Sequence, residues 1–161
     1  MNTVFFSRGA DATRGFSLLE LLLVIALLAI IGSMGSAYYF AVVKNVELST
    51  TAATVISDLK HAQANAMAGD SGVRWGIHFV HTPTDNYYQL FSTPVDFSST
   101  STTITSATYL PSQIIFTDPP VNTTKDVLFE RITGTTTPTT ISLFSSDTTR
   151  VITLPAVGSA Y

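Results

Sequence analysis

The chain has 161 residues, no cysteine and a formal net charge of −3. That length fits one ordinary domain plus an anchor. The missing cysteine excludes disulfides, thiol catalysis and Cys-ligated metals. An acidic chain with few, scattered basic residues gives no electrostatic footprint for nucleic acid.

Reading from the N-terminus, Arg14 and Gly15 open a long apolar run that continues to Val43. Glu20 is its one charged residue, and nothing from Leu21 to Val43 is charged. Roughly 20 apolar residues in a helix cross a hydrocarbon core of roughly 30 Å, so the spacing predicts a transmembrane helix over 16–43. The mean hydropathy of +0.33 owes much to this run. A lone carboxylate one helical turn inside such a run is a functional hypothesis by default. Residues 1–15 read as a leader. Its Arg8 and Arg14 favour a cytoplasmic N-terminus under the positive-inside rule, with the bulk of the chain translocated. An ordinary secretory signal cut near Gly35-Ser36-Ala37 is the competing reading. It gives Glu20 no role and makes the apolar region too long.

The hexapeptide Gly15-Phe16-Ser17-Leu18-Leu19-Glu20 resembles the type III signal peptide of type IV pilins and type II secretion pseudopilins. The resemblance implies that a prepilin peptidase cuts between Gly15 and Phe16 and that the new N-terminus, Phe16, is N-methylated. It also implies that Glu20 pairs with the Phe16 amine of a neighbouring subunit. The proline that the family often carries about where Ala37 stands is absent here, and Gly32 and Gly35 are the local helix-loosening residues instead.

From Lys44 to Ala68 the helix continues with a different pattern. Ala52, Val55, Ile56, Leu59, Ala62 and Ala66 recur at helical spacing, and Glu47, Thr51, Thr54, Asp58 and Asn65 take the other side. No Gly or Pro interrupts this segment, and Gly69 is its expected stop. If unbroken, 16–68 makes about 80 Å of helix, half suited to a membrane and half (44–68) to the face of a sheet. After Gly69 the period becomes two. Val73, Trp75, Ile77 and Phe79 alternate with Arg74, Gly76, His78 and Val80 as a half-buried strand. Pro83 to Asn86 is a turn, and Tyr87 to Phe91 completes a hairpin. Phe97 to Thr108 is mostly Ser and Thr and reads as a solvated loop. Gln113 to Phe116 and Val127 to Ile132 are further strands. Ile141 to Phe144 and Arg150 to Leu154 form a last hairpin. Strands without intervening helices predict antiparallel sheets. The fold class is therefore α+β: a long N-terminal helix, transmembrane then amphipathic, on an antiparallel β domain of residues 69–161.

This order of segments also resembles the H-type minor pseudopilin of type II secretion and its minor-pilin relatives. In that family the long helix packs on a β-sandwich. The implied function is a structural minor subunit of a type II secretion pseudopilus or type IV pilus, assembled into a helical filament for protein secretion or pilus biogenesis. The implied partners are other pilin or pseudopilin subunits, the prepilin peptidase/methyltransferase and the lipid bilayer, with no nucleic acid. The implied location is the bacterial inner membrane, single-pass, with the C-terminal domain periplasmic. The alternatives are a DNA-binding minor pilin, which a basic patch would favour, and a membrane-tethered enzyme.

No catalytic, cofactor-binding or metal site is expected. Gly69-Asp70-Ser71-Gly72 matches the G-D-S-G of serine proteases, but a triad needs a His and a buried Asp held by a larger scaffold, and a turn explains these residues. His78 and His81 are an odd number apart, which sends them to opposite strand faces. They are read as solvated histidines rather than shared metal ligands. Asn122-Thr123-Thr124 fits the glycosylation acceptor pattern.

Overall fold

The structure, a computed structural model, describes residues 15–157 and 160–161, without the side chains of 34–38, 40 and 41. The leader 1–15, apart from Gly15, therefore lies outside the described residues. The chain divides into two compact units, residues 1–40 and 41–161. One α-helix, α1 (Leu18–Ala68), contributes to both.

In the second unit α1 buries the predicted stripe: Leu48, Ala52, Val55, Leu59, Ala62 and Ala66. The helix stops where glycine permits a left-handed turn, at Gly69 with φ 67°. Its last carbonyls find partners. Ala66 O accepts the Gly69 amide at 3.1 Å and the Ile132 amide at 2.9 Å, as helix ends require. A 3₁₀ turn, Asp70–Gly72, then leads into the first strand.

Seven strands follow: β1 (Arg74–His81), β2 (Asn86–Thr93), β3 (Thr103–Tyr109), β4 (Ile115–Asp118), β5 (Thr123–Phe129), β6 (Thr139–Ser145) and β7 (Thr148–Leu154). They form a four-stranded sheet of order β3-β2-β1-β5 and a three-stranded sheet of order β4-β6-β7. Every pairing is antiparallel. Ile77, Phe79 and Tyr88 of one sheet join Phe116, Ile141 and Ile152 of the other and the stripe of α1 in a single apolar cluster. The architecture is thus α+β, as the sequence predicts.

Four expectations need correction. The Ser/Thr segment 97–108 is in part a strand, β3, exposed on almost every residue. Its Thr, Ile and Tyr favour extended backbone, but with neither face buried it shows no alternation. An extra residue at Thr105 bulges it, since Leu90 pairs with Ser106 and Phe91 with Ile104. The strand placed at 127–132 runs instead from Thr123 to Phe129, and Ile132 turns the chain at φ 71°. Strand β1 is buried on both faces rather than one. Its second face is covered by the segment after β2, whose Phe97 stacks on His78 with ring centroids 3.6 Å apart. His78 is buried there, not solvated, and His81 is buried on the opposite face, edge-on to Phe116 and bonded to the Pro119 carbonyl.

Two polar clasps tie the layers together. Lys125 Nζ reaches Asp118 Oδ1 and Oδ2 at 2.8 and 2.7 Å and the Thr140 carbonyl at 2.7 Å, joining β5 to β4 and β6. The Tyr88 hydroxyl donates to Asp58 Oδ2 at 2.6 Å, joining β2 to α1. Burial first, then the hydrogen bond to Asp58 and its charge, hold the Tyr88 phenol above the ordinary tyrosine range. A group whose folded pKa is raised contributes stability that is complete below its unfolded value, about 10 for tyrosine. That contribution is lost as pH rises from there toward the folded value. Tyr88→Phe should therefore cost about 1–2 kcal/mol at neutral pH through the lost charge-assisted bond. The penalty should shrink above pH 10, which thermal melts of both proteins at pH 7 and pH 11 will measure.

Candidate functional site

The residues singled out by the sequence lie together at the start of α1. Ser17 O accepts the Leu21 amide at 3.1 Å, which makes Ser17 the N-cap and Glu20 the third helical residue. Ser17-Leu18-Leu19-Glu20 has the spacing of a capping box, and a carboxylate in the first turn suits the helix dipole. Among the described residues neither the Ser17 nor the Glu20 side chain is hydrogen-bonded in that box, so the helix dipole is the local interaction Glu20 makes. Phe16 precedes the cap and is 82% exposed. A side chain at Gly15 would meet nothing within 4 Å among the described residues.

Beyond Glu20, Leu21 to Val24, Ile25, Leu27, Leu28, Ile30 and Ile31 all stand exposed. The apolar side chains cover the whole circumference, unlike the stripe at 48–66. A helix apolar all round needs an apolar environment. Ser33 turns its hydroxyl back to the Ile30 carbonyl at 2.8 Å, removing one polar group from that surface. Among the described residues no helix is long and apolar enough to cross a membrane. The predicted span also rests on residues 34–38, 40 and 41, whose side chains lie outside the described ones.

The other candidates resolve into structural parts. Gly69 to Gly72 forms the turn between α1 and β1, with positive φ at Gly69, Ser71 and Gly72. His61 neighbours Asn65 on the helix surface at 3.4 Å. His78 and His81 face opposite ways along β1. His78 Nδ1 contacts Asp126 Oδ1, while His81 Nδ1 donates to the Pro119 carbonyl at 3.0 Å. Among the described residues no three His, Cys, Asp or Glu side chains come together. Asn122 is exposed, at φ 61°.

An open cleft of about 360 Å³ lies where the turn after α1 meets the end of β5. Arg74 Nε pairs with Glu130 Oε2 at 3.0 Å, and Arg131 Nη1 donates to the Gly72 carbonyl at 2.9 Å. Arg74 and Arg131 lie far apart in the sequence. Nothing in their spacing marks them as neighbours, because 131 reaches 72 only through the sheet.

Residues 11–36 match the family model described as the prokaryotic N-terminal methylation motif. The chain thus carries a prepilin signal of the type IV pilin kind in this stretch. No curated protein and no solved structure matches the chain.

Proposed function

We propose that this chain is a structural minor subunit of a type II secretion pseudopilus or type IV pilus, matured by prepilin peptidase between Gly15 and Phe16. The observation that carries the reading is the methylation-motif match over 11–36. It spans Gly15, where a side chain would meet nothing among the described residues, and the start of a helix with apolar side chains on all sides. The apolar part of α1 holds the subunit in the bacterial inner membrane before assembly and forms the filament core afterwards. Residues 44–161 form the domain outside the membrane. The work is done by burial and register, without turnover. Phe16 supplies an amine and Glu20 a counter-charge on a neighbouring subunit.

Intact-mass analysis of the chain extracted from membranes of the cells that make it tests this reading. The expected product begins at a singly methylated Phe16. Gly15→Leu should leave the uncut precursor. A mature N-terminus at Tyr38 would instead support an ordinary secretory signal and defeat the proposal.

A further inference from the structure

Ile132 is disfavoured by the fold on two counts. Its φ of 71° is a left-handed conformation in which a β-branched residue is an outlier, at a cost that persists only when something else requires it. The residue is also 66% exposed, so burial returns little. The backbone has a reason to be there, since the Ile132 amide caps Ala66 O at 2.9 Å. Glycine or asparagine would make that bond with less strain. The isoleucine side chain is unexplained by the folded monomer. Its neighbour Arg131 has the Gly72 carbonyl as a partner but no carboxylate among the described ion pairs. A guanidinium with spare donors is a common contact anchor, and here an exposed aliphatic group stands beside it.

The complementary pair stands on the same chain. Val46 is 59% exposed on α1, and Glu47 beside it has no partner among the described ion pairs. Roughly 30 Å of helix separates this pair from Ala66, where Ile132 is tied. We infer that Arg131 and Ile132 of one copy dock on Glu47 and Val46 of a second copy, an end-to-end contact between domains. Such a contact joins two different patches, so it propagates into a filament wherever its rotation does not close a ring. This inference rests on the filament reading above and adds a domain contact to it.

The chain has no cysteine, which makes a clean test possible on the full-length protein in membranes of the cells that make it. Val46→Cys and Ile132→Cys, each alone, should give little disulfide-linked product. Co-expressed, they should give a dimer, and combined in one chain, a ladder of multimers. Adding Arg131→Glu to the co-expressed pair should cut the dimer at least about tenfold, and adding Glu47→Arg as well should restore most of it. Separately, Ile132→Gly and Ile132→Asn should raise the melting temperature by about 2–4 °C, the shift of a relieved strain in a chain of this size. No dimer above the single-cysteine background, no rescue by the double charge reversal, or a lower melting temperature for both Ile132 variants overturns the inference. A disulfide adduct of the Ile132→Cys variant with a different protein, in place of the dimer, overturns the commitment to a second copy. If these fail while Glu20→Gln still abolishes assembly, the filament reading stands and only this contact falls.

Discussion

Glu20→Gln is expected to leave cleavage at Gly15 and folding of residues 44–161 intact while cross-linking to other filament subunits falls at least about tenfold. The glutamine keeps the capping-box spacing from Ser17, because Gln serves at that helical position as Glu does. The substitution therefore removes the charge and leaves the helix start alone. In an apolar bundle, breaking a buried pair by removing one partner costs about 3–5 kcal/mol, and each 1.4 kcal/mol is about tenfold in association. The stranded partner would be the Phe16 amine of the neighbouring subunit. Glu20→Leu sharpens the comparison. A carboxylate at membrane depth costs up to roughly 2.5–3.5 kcal/mol on insertion scales, so the leucine variant should insert at least as well as wild type and still assemble poorly. Cross-linking of all three in membranes decides the matter. Equal yields would reduce Glu20 to a local partner of the helix dipole.

Gly76→Val should be the most damaging single change in the β domain. A Cβ at this position would sit 2.5 Å from the Val127 carbonyl oxygen and 2.9 Å from Phe91 Cζ. The carbonyl belongs to β5, paired alongside β1, and cannot move without parting the strands. Phe91 is fully buried and meets Phe97 edge-on at 4.9 Å, and Phe97 in turn stacks on His78. Displacing Phe91 thus lifts the covering segment from the outer face of the sheet. Overpacking of this kind costs about 1–3 kcal/mol for small additions, and more where backbone must shift. For a chain of this size each 1 kcal/mol lowers the melting temperature by about 2–4 °C, so a loss of about 6–12 °C is expected. Gly15→Ala is the control, since a Cβ there meets nothing within 4 Å among the described residues. A melting temperature for Gly76→Val within about 2 °C of the control value, on that same scale, would mean that the sheet is looser than these contacts require.

What could be read from the sequence was contiguous or periodic. Gly15, Phe16 and Glu20 sit within one hexapeptide. Leu59, Ala62 and Ala66 share a helical face at spacings of three and four. Trp75, Ile77 and Phe79 alternate, and all pairs of the sheets came out antiparallel. What could not be read depends on segments that meet only after folding. The burial of His78 needs Phe97 from a later loop. Asp58 finds Tyr88 across the helix–sheet boundary. Arg74 finds Glu130 just past the end of β5, and Lys125 finds Asp118 across a turn that carries no charge pattern. Strand β3 escaped because alternation reports burial, and β3 buries neither face.

The way α1 engages the sheets has a mechanical consequence. Leu48, Val55, Leu59, Ala62 and Ala66 are distributed along the axis of the helix, and Thr148 adds a hydrogen bond to Asn45 at 3.0 Å. A tension applied to the helix at Lys44 meets all of these contacts in parallel, so they must shear together instead of peeling one by one. A domain without a single disulfide should then resist pulling along α1 far better than pulling at the exposed β3, where β2 alone is lost. Single-molecule extension from the two attachment points would show the difference as a higher rupture force along the helix, an anisotropy that a melting temperature does not register.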